Sequence, residues 1–152
     1  MDDDLLAKNI WVHDDFDQMS WHDNKIYGIA FNADSFELSL DIDYICKWVK
    51  KADSFMFWVA PATFVFRNVY DLNMSADSLD LTISDIIRER PMKPNNAPHI
   101  IDQLEYHWII ETTQGEITFK SVGFTQHLRE NPVLIKRQHL TLDERGGISF
   151  AN

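Results

Sequence analysis

The chain has 152 residues, 45% of them apolar and including 5 Trp, 10 Phe and 4 Tyr. That is enough for a single domain over residues 1–152, with a core that needs no disulfide or metal staple. Acidic residues outnumber basic ones 24 to 14, and the net charge of −10 repels phosphate backbones and anionic membranes. Nucleic acid and membrane are therefore not the expected partners, whereas a basic protein partner suits such a surface.

The acidic start, "MDDDLLAKNI", predicts a short capped helix over residues 2–8, with aspartates favourable to the helix dipole. It has neither the basic nor the apolar region of a signal peptide, so cytoplasmic residence is the expectation. "HDDFDQMS" reads as a polar loop. From Lys25 the period becomes two, with Ile26, Gly28 and Ala30 on one face and Tyr27, Ile29 and Phe31 on the other. After a turn at "NADS", the stretch "FELSLDIDYI" places Phe36, Leu38, Leu40 and Ile42 opposite Glu37, Ser39, Asp41 and Asp43. These two runs predict a hairpin.

Cys46, the one cysteine, lies among apolar residues and reads as a buried structural thiol rather than a nucleophile. "FMFWVAPATFVFRNV" reads as a strand buried on much of both faces, with a bend, bulge or edge at Pro61. It is too short to cross a bilayer as a helix. "SLDLTISDIIRER" alternates with Leu79, Leu81 and Ile83 on one side, and its phase breaks at Ile86-Ile87, which suggests a bulge or the end of one strand and the start of another. Arg88, Arg90 and Lys93 form the densest basic patch, which Glu89 interrupts. Its plain reading is a solvated strand end.

"PMKPNNAPH" reads as an exposed loop. In "QLEYHWIIETTQGEITFKSVGF", Leu104, Tyr106, Trp108 and Ile110 oppose Glu105, His107 and Glu111. The turn falls at "TTQGE", where Gly115 is free to take a positive φ. A bulge is expected near Ser121 or Gly123, and "LIKRQHLTL", "DERGG" and "ISF" predict a last strand–turn–strand. The whole is a mainly β chain, an antiparallel meander forming a sandwich or open barrel with one or two short helices. No crossover helix for a parallel sheet is visible.

Three groups of residues have the chemistry of a site. His13 and His22, near Asp14, Asp15, Asp17 and Asp23, are of metal-ligand type, but their spacing follows no ligand pattern, so no metal is expected. Asp41 and Asp43 share a strand face about 7 Å apart. They suit an acid–base pair or a cation, or else the solvated face of an antiparallel sheet. His107 lies on a polar face and would complete a His–carboxylate site if its strand neighboured those of Asp41 or His22. The candidate binding set is thus His22, Asp23, Asp41, Asp43 and His107. A hydrolase or metal-binding protein built on it is the alternative to a non-enzymatic binding protein. No Gly-rich phosphate loop and no Ser or Cys nucleophile motif is present, so no cofactor is implied. Trp48, ahead of "KKADS", is a candidate exposed aromatic for a protein-binding surface.

The segment "SWHDNKIYGIAFNADSFELSLDIDYI" resembles the start of small bacterial families that set an aromatic–His–Asp triplet before an N-terminal β-hairpin. Some are uncharacterised domains, and others are immunity proteins of polymorphic toxin systems. The resemblance covers residues 20 to about 45, and "FWVAPATFVFRNVYDL" is compatible with it. It implies a small acidic cytoplasmic protein that neutralises a toxin by binding it, and it assigns no catalytic residue.

Overall fold

The computed structural model describes residues 8–94 and 104–152. The expected helix over residues 2–8, apart from Lys8, and the loop around His99 lie outside the described residues.

The strands are β1 (Ile10–Val12), β2 (Lys25–Asn32), β3 (Glu37–Lys51), β4 (Ser54–Arg67) and β5 (Tyr70–Ala76). They continue with β6 (Leu81–Met92), β7 (Glu105–Thr112), β8 (Gly115–Ser121), β9 (Gly123–Leu128) and β10 (Val133–Ile135). A 3-10 turn covers His13–Gln18, and a single-turn helix α1 covers Leu142–Arg145. All pairings are antiparallel, in one sheet ordered β1-β9-β4-β3-β2-β6-β7-β8-β5, with β10 added to β4. The two end strands do not pair with each other, so the sheet stays open, in line with the mainly β reading.

Two meanders, β2–β4 and β6–β8, make up the halves. They are joined where the starts of β2 and β6 pair, Lys25 opposite Thr82 and Ile26 opposite Leu81. Alternation then decides what is buried between them. Leu38, Leu40 and Ile42 of β3 and Phe64 and Phe66 of β4 share one core with Ile83, Trp108, Ile110 and Phe119 from the other half. The Phe66 ring stands 5.1 Å from Trp108 and 4.7 Å from Phe119, edge to face. Such pairs contribute about 0.5–1.5 kcal/mol each beyond burial.

The halves also meet at a corner, because β4 and β9 pair in one half while their continuations β5 and β8 pair in the other. The expected bulge is this corner. Val122 separates β8 from β9 and donates its N–H to the Arg67 carbonyl at 3.3 Å. Pro61 sits opposite Asp43 of β3, and its other side falls in the gap between β10, which stops at Val59, and β9, which stops at Ala62. Its missing N–H therefore leaves no ladder position empty. Gly115 has φ +154, and a Cβ there would stand 1.9 Å from the Ser75 carbonyl oxygen. Only glycine allows β5 to lie that close.

Three expectations are corrected. Leu79 precedes β6 and is fully exposed, whereas Leu81 packs half-buried against the core and Ile83 is completely buried in it. The break in β6 is a register shift between Ile83 and Asp85, upstream of Ile86, and the strand runs on through it. "DERGG" is no hairpin turn, and "ISF" is not a strand. Thr141 Oγ1 accepts the Glu144 N–H (3.2 Å), Glu144 accepts the Thr141 N–H (3.0 Å), and Gly146 ends the turn at φ +74. That reciprocal cap followed by a left-handed glycine makes helix the favoured local state. The chain beyond it packs Ile148 and Phe150 over Gly28, where a Cβ would stand 2.9 Å from Ile148.

Candidate functional site

Asp41 and Asp43 share a face, as the alternation requires, but that face is not solvated. Both side chains are completely buried beneath residues 140–149. Arg145 enters from α1 and grips both: Nη1 and Nη2 donate to Asp41 at 2.7 and 2.6 Å, and Nε donates to Asp43 at 3.0 Å. Its remaining donors reach the carbonyls of Gly147 (2.6 Å) and Ile42 (3.2 Å), which satisfies all five N–H groups. Arg129 adds a second guanidinium to Asp41 at 2.8 Å, and the Ser149 and Leu140 amides complete Asp41 and Asp43.

Tyr27 lies under the Arg145 guanidinium, 3.8 Å from ring centroid to Cζ, with its hydroxyl against Asp43 Oδ2 and the Leu140 carbonyl. Burial, and then the charge of Asp43, push the Tyr27 hydroxyl well above its ordinary pKa. Burial opposes the charge on Arg145, but the hydrogen bonds and charges of Asp41 and Asp43 outweigh it and raise the guanidinium's pKa. With every carboxylate oxygen occupied, no space remains for a substrate or a cation. The cluster clasps the C-terminal segment to the sheet. Arg145, Arg129 and Tyr27 escaped the sequence reading because their partners lie up to 113 residues away.

The Trp21-His22-Asp23 triplet divides its roles. Trp21 is core, stacked on Phe64 at 5.3 Å and donating its indole N–H to Gln126 at 2.8 Å. His22 Nδ1 meets the Ser84 carbonyl at 2.9 Å, and Asp23 accepts the Gln138 amide at 2.8 Å. Asp23 has φ +67, a conformation that Asp tolerates in turns, and its N–H donates to Ile83 across to β6. The triplet thus ties the start of β2 to β6.

His107 is elsewhere again. Its strand, β7, neighbours β6 and β8, not β2 or β3, so the expected approach to Asp41 or His22 does not occur. On the outer face of β5–β8–β7–β6, register aligns Tyr70, Lys120, His107 and Glu89 in one row across the four strands. His107 Nδ1 is 3.4 Å from Glu89 Oε1, and Arg90 Nε approaches the same carboxylate oxygen at 3.6 Å. Lys120 pairs with Asp71 at 3.2 Å and lies over the Tyr70 ring, whose hydroxyl donates to the buried Glu105. Among the described residues no three His, Cys, Asp or Glu side chains are grouped to hold a metal ion.

Compared with protein-family models, curated proteins and solved structures, the chain matches none. Trp48 is exposed, as expected, and its ring meets Phe55, Phe57 and His22 near the end of the β3–β4 hairpin. Cys46 sits at the register shift in β3, and burial pushes its thiol up to about 12. The most exposed aromatic rings among the described residues are Phe31 (63%) and Phe36 (61%), at the tip of the β2–β3 hairpin. They border an apolar depression of about 240 Å³ floored by Leu38, Val69 and Leu72. Exposure of phenylalanine has no signal in a period-two pattern: Phe31 stays in register opposite Leu38, yet its ring is left uncovered at the hairpin tip.

Proposed function

We propose that this chain works by binding another protein, with no catalysis of its own, and that the partner's contact surface is basic. The observation that carries the reading is the β2–β3 tip. Phe31 and Phe36 project into solvent around an apolar depression, and Asp34 and Glu37 stand between and beside them. Aromatic anchors ringed by polar groups are the usual centre of a binding patch. Phe36 holds φ +57, with its carbonyl accepting the Val69 N–H at 2.8 Å. A bulky residue in that conformation costs about 1–3 kcal/mol, here as the left-handed residue that closes the hairpin turn. The net charge of −10 would draw a basic partner from a distance. Neutralising a toxin in the manner of an immunity protein is the form of this function that the resemblance of residues 20–45 suggests.

The test is capture of host proteins on the wild-type chain and on an F31A/F36A double variant, both confirmed as folded by circular dichroism. The expected result is a basic protein retained by the wild type and lost by the variant. Equal retention on both, or no specific retention on either, would overturn the reading.

A further inference from the structure

The row on the outer face of β5–β8–β7–β6 runs beneath a concavity of about 820 Å³, within the range of small-molecule sites. His107 and Lys120 form its floor, directly opposite each other in register. Its walls are raised by two register shifts at the level of that row, one between Tyr70 and Asn73 in β5 and one between Glu89 and Met92 in β6. At each shift a non-glycine residue takes the left-handed conformation, Asp71 at φ +53 and Arg90 at φ +56. β-Bulges re-aim side chains in this way and recur beside functional sites. Leu72 and Asn73 follow on one wall, Pro91 and Met92 on the other.

The charge of the lining reverses that of the chain. Acidic residues outnumber basic ones 24 to 14 overall, yet the lining holds the cations Arg90 and Lys120, with His107, against Asp71, and Glu89 reaches Arg90 and His107 from just outside it. The ion pairs that occupy these groups are loose or exposed, Arg90 with Glu89 at 3.6 Å and Lys120 with Asp71 at 3.2 Å. Exposed pairs of this kind are worth about 0–1 kcal/mol, so a ligand displaces them at little cost. A guanidinium fork matches the plane of a carboxylate, and Leu72, Pro91 and Met92 give a carbon skeleton an apolar wall.

We propose that this concavity binds a small carboxylate-bearing organic acid, held by Arg90, His107 and Lys120. The site is separate from the β2–β3 tip, so either can fail without the other.

The experiment is a titration of the full chain with glutarate, with 3-phenylpropionate and with inorganic phosphate, followed by amide NMR at constant ionic strength against chloride. The organic acids are expected to give saturable shifts confined to Leu72, Asn73, Met92, His107 and Lys120. R90Q and K120M are each expected to weaken that binding about tenfold, while the rest of the amide spectrum stays that of the wild type. Shifts that do not saturate, that scatter over the surface, or that survive both substitutions overturn the proposal. Phosphate binding as tight as that of the organic acids overturns it too, because the apolar wall then plays no part. If one variant does not fold, the other and the wild-type shift map decide.

Discussion

Two polar rows in this molecule are written in the same alternating pattern and meet opposite fates. Asp41 and Asp43 on β3 are completely buried, with both carboxylates bound by Arg145. Glu89, His107 and Lys120 on β6, β7 and β8 keep 30–40% of their side-chain surface, and their ion pairs are longer, at 3.2 to 3.6 Å. Neither difference lies in the alternation itself. A segment almost 100 residues downstream covers the first row, and the outer strands β5 and β6 bulge around the second without closing over it. Alternation names the face that avoids the core, and only a later part of the chain decides whether that face meets water.

The contrast breaks first at Arg145. Removing one partner of a buried ion cluster leaves uncompensated charge in a site without water, at about 3–5 kcal/mol. R145A is expected to lower the melting temperature by roughly 10 °C or more at this chain length and to free residues 140–149 for rapid amide exchange. Replacing the carboxylate that Arg145 neutralises as well, in R145M/D43N, removes that stranded charge while Arg129 still pairs with Asp41, and is expected to recover part of that loss. A drop of only a degree or two for R145A would mean that the cluster does not hold the segment. Smaller, but at the same place, Y27F leaves the ring under the guanidinium and deletes only the hydroxyl that meets Asp43 and Leu140. Its expected cost is about 1–2 kcal/mol by urea unfolding. No cost at all would show that the hydroxyl is incidental.

The fold was legible where period and turn chemistry agreed. The hairpins β2–β3 and β7–β8 follow from strict alternation and from turn residues, and Gly115 takes the positive φ that its place in "TTQGE" requires. The Thr141–Glu144 cap was equally open to reading, but the apolar residues around it suggested strand. Local helix capping and a β-rich context compete there, and the cap prevails because Gly146 can end the helix. The contents of the site were less legible. His107 could be placed on a polar face, but its neighbours Glu89 and Lys120 depend on register across three strands. Register is a property of the assembled sheet, and two bulges set it here. The burial of Asp41 and Asp43 depends on a long-range contact that no periodicity encodes.

The smallest expected effect sharpens the comparison most. If the outer row of β6–β8 is an open surface and not a second clasp, its charges are free to change without harm to the fold. Lys120 and Asp71 form an exposed pair, with side chains 32% and 62% accessible, and the interaction is screened by water and salt. K120M is therefore expected to shift unfolding stability by no more than about 0.5 kcal/mol, against several for R145A. H107Q, which keeps a polar group facing Glu89 at 3.4 Å, falls in the same range. Urea titrations of the two variants beside R145A measure the comparison directly. A loss from K120M approaching that from R145A would mean the row is a structural network, and its basic groups would then have no reason to be available to a ligand.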